Sequence, residues 1–144
     1  MIIYPDTSFL VSLYTPDANS SPAARKMQAQ HSAVFFLSDL AELELMNAFQ
    51  QRLFRKELRA TQVQSAQLAF RDDLEQGVFL KKPVEVGAVY ERALRLSRKW
   101  TSTLGTRMLD ILHVAMALEF GADRLYTFDR QQSKLAMAEG MKVS

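Results

Sequence analysis

The chain of 144 residues contains no cysteine, which excludes a disulfide scaffold, a thiolate metal site and a cysteine nucleophile. Its two histidines leave little for zinc chemistry. Glycine and proline are scarce, at five and four residues, and no repeat, low-complexity tract or Gly/Pro/Ser linker interrupts the chain. A single domain over residues 1–144 is therefore expected. No apolar run is long enough to cross a bilayer, and the N-terminus lacks the basic lead and small-residue cleavage site of a secretory signal. The expectation is a soluble protein of the cytoplasm. The net charge is only +2, with a pI near 9.0, which permits a polyanionic partner without requiring one.

What is present is 48% hydrophobic residues, enough for a core that needs no metal or disulfide staple. Ile2–Pro5 reads as a short buried strand and Thr7–Tyr14 as a helix. Ser21 and Pro22 look like an N-cap with proline at the first helical position, starting a helix that runs to about His31. Val34–Leu37 is a second strand. Ser38 caps a helix with an expected inward stripe of Leu40, Leu43, Met46 or Asn47, Phe49 or Gln50, and Leu53. A capping box at 61–64 starts a helix that ends at Gly77. Beyond it come a strand at 78–80, a long helix over 84–100 and, after Thr106 as its cap, a nearly all-apolar helix over 108–120. A strand at 125–128, a helix at 130–138 and an edge strand at 141–143 complete the chain. Such alternation predicts an α/β fold with a central, mostly parallel sheet of four to five short strands flanked by about seven helices.

Three acids stand where this pattern does not require them. In open parallel sheets ligands bind beyond the carboxyl ends of the strands. Asp6 follows the first strand, Asp129 follows the strand in LYTFDRQQ, and Asp110 lies in the first turn of MLDILHVAMALEF. Taken singly, Asp6 and Asp129 are equally suited to capping a helix, and Asp110 to facing a helix dipole. Taken together they look like a metal cradle. Several carboxylates withdrawn from water repel one another unless a cation answers them, and Mg²⁺ or Mn²⁺ does so with oxygen ligands alone.

Four motifs in order resemble those of the PIN-domain ribonucleases, and among them the toxins of VapBC toxin–antitoxin pairs. YPDTSFLVSLY resembles the opening strand and its Asp-Thr-Ser turn; LAELELMNAFQQRL, LGTRMLDILHVAMAL and LYTFDRQQ are similar to the three later motifs. The resemblance implies a four-acid catalytic and metal-binding site of Asp6, Glu44, Asp110 and Asp129, with Ser8 or Thr7 supporting Asp6 and Thr127 beside Asp129. It implies Mg²⁺- or Mn²⁺-dependent cleavage of RNA, a homodimer, and a small antitoxin that blocks the site, with the helix over 64–76 and the one before it forming its groove. Glu42 stands two residues before Glu44 as a second acid. Pro5 replaces the usual aliphatic residue before Asp6, so the strand is expected to end early or Asp6 to shift.

Arg107 and Arg130 flank the acids and are candidates for meeting RNA phosphates, with Arg92, Arg95, Arg98 and Lys99 as a more distant basic face. His113 is read as a core histidine and not as a general base. Three other readings stand beside the toxin: a free-standing PIN nuclease in RNA processing, an aspartyl-phosphate phosphotransferase, and a non-catalytic domain that binds RNA or a partner. The phosphotransferase reading is weakened by Ser8, which stands where such enzymes carry a second aspartate.

Overall fold

A computed structural model describes residues 1–144. Five strands, β1 (Ile2–Pro5), β2 (Val34–Leu37), β3 (Phe79–Lys81), β4 (Arg124–Tyr126) and β5 (Lys142–Val143), form one sheet in the order β3-β2-β1-β4-β5. Every pairing is parallel. Seven helices have eight or more residues: α1 (Thr7–Tyr14), α2 (Ser20–Gln28), α3 (Asp39–Phe54), α4 (Ala60–Glu75), α5 (Val86–Leu96), α7 (Met108–Glu119) and α8 (Arg130–Ala138), with the single turn α6 (Ser102–Leu104) among them. The expected fold class is thus found, and its sheet is wholly parallel. No helix is long and apolar enough to cross a membrane.

Side chains alternate across a strand, so each strand feeds two cores. Ile3, Phe35, Leu37, Phe79 and Tyr126 face α1, α3 and α4, where Phe9, Leu45, Phe49 and Phe70 close the first core. Tyr4 and Leu125 face α5, α7 and α8, packing with Val89, Ile111, Val114, Phe120 and Leu135. The strand order turns about β1. Chain leaving β1 enters α1 on one face, whereas chain leaving β4 enters α8 on the other, which opens a cleft at the carboxyl ends of these central strands.

Pro5 neither ends β1 early nor displaces Asp6. It pairs with Tyr126, and the Asp6 amide continues the β4 ladder by donating to the Tyr126 carbonyl at 3.0 Å. Because successive amides point to opposite neighbours, the missing N–H of Pro5 would have faced β2, where the paired register stops at Ile3 and Phe35.

Several local expectations change, and one is the cap of α7, which is Arg107 and not Thr106. Helix α2 starts at Ser20, with Pro22 still inside the first turn, where no intrahelical donor is needed. Asp17 and Ser20 set that start: the Ser20 hydroxyl accepts from Asp17 N–H at 2.8 Å, while Asp17 accepts from Asn19 N–H at 2.8 Å. Helix α4 starts at Ala60, because Gln62 accepts from Arg59 N–H at 2.8 Å. The buried stripe of α3 is Ala41, Leu45 and Phe49, and Leu43 is 69% exposed. With α3 so placed, Glu44 lines the cleft, whereas Glu42 is paired with Lys81.

Truncating Leu45 to Ala should lower the unfolding free energy by about 2–5 kcal/mol, as for other fully buried leucines. Leu43→Ala should stay within about 0.5 kcal/mol. Urea denaturation of the two variants checks the register of α3, and equal losses would refute it.

Candidate active site

Asp6 leaves β1 with no solvent exposure and N-caps α1. Oδ1 accepts from Phe9 N–H at 2.9 Å and from the Ser8 hydroxyl at 2.7 Å, and Oδ2 accepts from the Thr127 hydroxyl at 2.6 Å. Burial raises its pKa above the ordinary carboxyl value; attraction to His113 and these donors act in the opposite direction. Ser8 has a second task, since its Oγ accepts from Phe128 N–H at 2.9 Å, tying the start of α1 to the segment beyond β4.

Asp129 N-caps α8 with Oδ1, which accepts from Gln131 and Gln132 N–H at 2.8 and 3.0 Å. Its other oxygen turns into the cleft. Its own N–H donates to Thr127 Oγ1 at 2.9 Å, so Thr127 links Asp6 to Asp129. Asp110, 2% exposed in the first turn of α7, accepts from the Arg107 N–H and Nε at 3.2 and 3.0 Å through Oδ2, and from Nη2 at 3.3 Å through Oδ1.

Glu44 comes from the middle of α3 and meets His113 of α7 and Thr7 of α1, whose hydroxyl donates at 2.8 Å. Burial works to raise the Glu44 pKa, but the bonds to His113 and Thr7 prevail and hold it below the ordinary range. The carboxylate can only accept, which places a proton on His113 Nε2; Nδ1 is hydrogen-bonded to the Tyr4 hydroxyl at 2.8 Å, and Tyr4 in turn to the Ser38 hydroxyl at 2.7 Å. Four segments therefore orient one glutamate.

Glu44, Asp110 and Asp129 share a cavity of about 440 Å³ with Thr7, Ser8, Arg107 and Gln132. Asp6 does not line this cavity; it lies behind Ser8, which does. No three of the acid and imidazole groups converge closely enough to ligate one ion in this arrangement. What stands between Asp110 and Asp129 is the Arg107 guanidinium, 3.0 Å from the first and 3.4 Å from the second. Proximity to Asp110 and then Asp129 raises the Arg107 pKa.

The structure thus brings all four expected acids to one sheet edge, selects Glu44 over Glu42, and divides the hydroxyls differently. Ser8 and Thr127 serve Asp6, whereas Thr7 serves Glu44. Arg107 is an ion-pair partner of the acids, while Arg130 lines a neighbouring cavity with Lys134. His113 is a core residue, 1% exposed, and it also holds Glu44, a role sequence reasoning missed. Its spacing of three residues from Asp110, the two lying on one helix face, is the signal that was available. On the distant basic face, Arg92 and Lys99 are already paired with Glu119 and Glu139.

An oxygen-lined acidic cleft at the switch point of a parallel sheet defines a class of α/β proteins. Within that class, the PIN domain family matches residues 3–137, and the chain belongs to it. Its structure is similar to that of Mycobacterium tuberculosis VapC20, a Sarcin-Ricin loop cleaving toxin, with 21% identity, a TM-score of 0.69, and 92% of this chain and 93% of that chain covered. It is similar also to VapBC2 from Rickettsia felis, solved bound to a promoter DNA fragment (15% identity, TM-score 0.68, 100% and 98% covered). A third similar structure is FitAcB from Neisseria gonorrhoeae (16% identity, TM-score 0.62, 99% and 96% covered). Curated protein sequences gave no match.

Replacing His113 with Leu should cost about 2 kcal/mol by stranding Glu44 and one bond of Tyr4. It should also raise the Glu44 pKa. The sign follows from linkage: a depressed carboxyl stabilises the fold above its unfolded pKa of about 4.3, and this is lost as pH falls through the folded value. Carbon-detected NMR titration of Glu44 in the two proteins, with denaturation at pH 7 and pH 3, checks both points; an unmoved Glu44 would refute the His113 role.

Proposed function

We propose that the chain is a metal-dependent endoribonuclease and the toxin of a toxin–antitoxin pair, hydrolysing RNA phosphodiester bonds. The observation that carries this reading is the gathering of Glu44, Asp110 and Asp129 on one cavity, with Asp6 directly behind, in a PIN-family fold. That the similar VapC20 cleaves the Sarcin-Ricin loop favours RNA as the substrate class.

The donors fit Mg²⁺ or Mn²⁺. They are all oxygen, and Asp110 and Asp129 already converge on one cation, the guanidinium of Arg107, which stands in for an ion. Asp110 and Asp129, which already meet one cation, would hold the metal, with Glu44 on the same cavity and Asp6 behind Ser8. When bound, such an ion neutralises the acids and lowers the pKa of a water able to attack phosphorus.

The remaining work falls to the chain. His113 and Thr7 hold Glu44 ionised and aimed, so that it can orient a water. Ser8 and Thr127 hold Asp6 and, through it, the spacing of β1 and β4. Arg107 and Arg130 offer charge to the phosphates on either side. An aspartyl-phosphate route is disfavoured, because Asp6 is fully buried with both oxygens engaged and presents no face to a phosphoryl donor.

Partners fit the same reading. A cavity of about 420 Å³ between α1 and α4, lined by Tyr14, Pro16, Leu58 and Ala66, is a groove for an antitoxin segment. The apolar cleft between α5 and α7, where Tyr90 and Met108 are 62% and 61% exposed, suits a second copy of the chain.

Calorimetry should show Mn²⁺ binding to the wild type and none to an Asp110→Ala, Asp129→Ala double variant. Thr7→Val should weaken Mn²⁺ by about 10–100-fold through the loss of its bond to Glu44. With total RNA and Mn²⁺, the wild type should cleave and Asp129→Ala should not; equal cleavage, or none by either, would overturn the nuclease reading.

A further inference from the structure

A second cavity, of about 290 Å³, lies between α2 and the edge of the sheet formed by β4 and the end of the chain. Arg25, Lys26 and Arg124 line it, together with Gln30, Tyr126 and Ser144, and no Asp or Glu side chain does. None of the three cations takes part in any ion pair of the molecule. Arg124 donates through Nη1 to Ser144 Oγ at 3.1 Å, but its Nε is buried and has no acceptor. Unmet buried donors are rare and costly, so an N–H of this kind points to an acceptor that completes it. Burial and the nearby Arg124 charge both lower the Lys26 pKa, a like-charge arrangement that an anion would relieve.

Lys26 brings this pocket beside the cavity next to the acidic cleft. The Lys26 ammonium lies 5.8 Å from the Tyr126 ring centroid and 5.2 Å from that of Phe128. Phe128 in turn lines the next cavity with Arg130, Lys134 and Asp129, and Asp129 is shared with the cleft that holds Glu44 and Asp110. Arg130 and Lys134 are also outside every ion pair. A run of five unpaired cations thus leads away from the acids along one edge, whereas the opposite basic face on α5 is partly neutralised by Glu119 and Glu139.

We propose that Arg25, Lys26 and Arg124 form a phosphate subsite that holds the backbone of the RNA strand at a distance from the bond to be cut, with Arg130 and Lys134 along the path between. The proposal rests on the nuclease reading for the identity of the strand. Arg124 provides the fixed donor, its guanidinium anchored by Ser144, and Lys26 and Arg25 close over the anion from α2. Such contacts position a strand without reading its sequence.

The test is binding without divalent ions, in EDTA, of a fluorescent ten-nucleotide single-stranded RNA and, separately, of inorganic phosphate. An Arg25→Gln, Lys26→Gln double variant should bind the RNA about tenfold more weakly and with a salt slope shallower by about one to two. Arg124→Gln should behave likewise and Arg124→Lys should restore part of the affinity; unchanged thermal melting would show that each variant is folded. If the wild type binds RNA and the variants match it, the subsite is overturned while cleavage of total RNA by the wild type still supports the nuclease. If the variants lose only inorganic phosphate, the pocket serves a free anion and the strand subsite is overturned. If the wild type binds neither probe, the proposal fails, and Mn²⁺-dependent cleavage then decides the nuclease reading separately.

Discussion

A carboxylate withdrawn from water must be met by donors or by a cation, and the centre of this fold is arranged to meet four of them. Asp6 is the most demanding, because no part of it reaches solvent. Its donors come from α1 and from the segment after β4, so satisfying one side chain binds together two elements that lie 121 residues apart in sequence. Ser8 and Thr127 each serve two groups at once. They bond Asp6, and they also receive the backbone amides of Phe128 and Asp129, which fixes where α8 begins.

The groups that cap helices here also line the acidic cleft. Asp129 gives one oxygen to the first turn of α8 and directs the other to the cleft, and Asp110 accepts from the Arg107 amide while its carboxylate faces the same cation as Asp129. A cap is a rigid mount, because the side chain is held by amides whose positions the helix sets. Glu44 has no cap to hold it, being in mid-helix, and the molecule holds it instead with His113 and Thr7. The outcome is an acid cluster whose members are held in place by their own hydrogen bonds, balanced locally by Arg107, with further cations at a distance that no Asp or Glu pairs.

Most of the elements were legible from apolar runs and caps, because Ile2–Pro5, Thr7–Tyr14 and Val34–Leu37 each carry their own boundaries. The errors share a cause. Leu43 is as apolar as Leu45, and only the placement of α3 on the sheet decides which of them is covered. Pro22 marked a helix start, but the turn joining Asp17 to Ser20 started it earlier through side-chain bonds that residue type alone does not reveal. Pro5 looked disruptive because its missing donor is a local fact, while the side of β1 on which it falls is a property of the sheet.

The sequence by itself determined the α/β alternation, the four acids in order and the motifs that carry the family likeness, since these depend on residue type and on spacing within single elements. Only the tertiary structure decided that Glu44 and not Glu42 enters the cleft, that Thr7 and Ser8 serve different acids, that His113 holds Glu44 and that Arg107 lies between Asp110 and Asp129. Those assignments depend on contacts between segments 22 to 121 residues apart, and their geometry is set when α1, α3 and α7 pack on the sheet. The cations around Arg124 belong to the same category: nothing in residues 25, 26 and 124 taken singly says that they share a pocket that no Asp or Glu side chain lines.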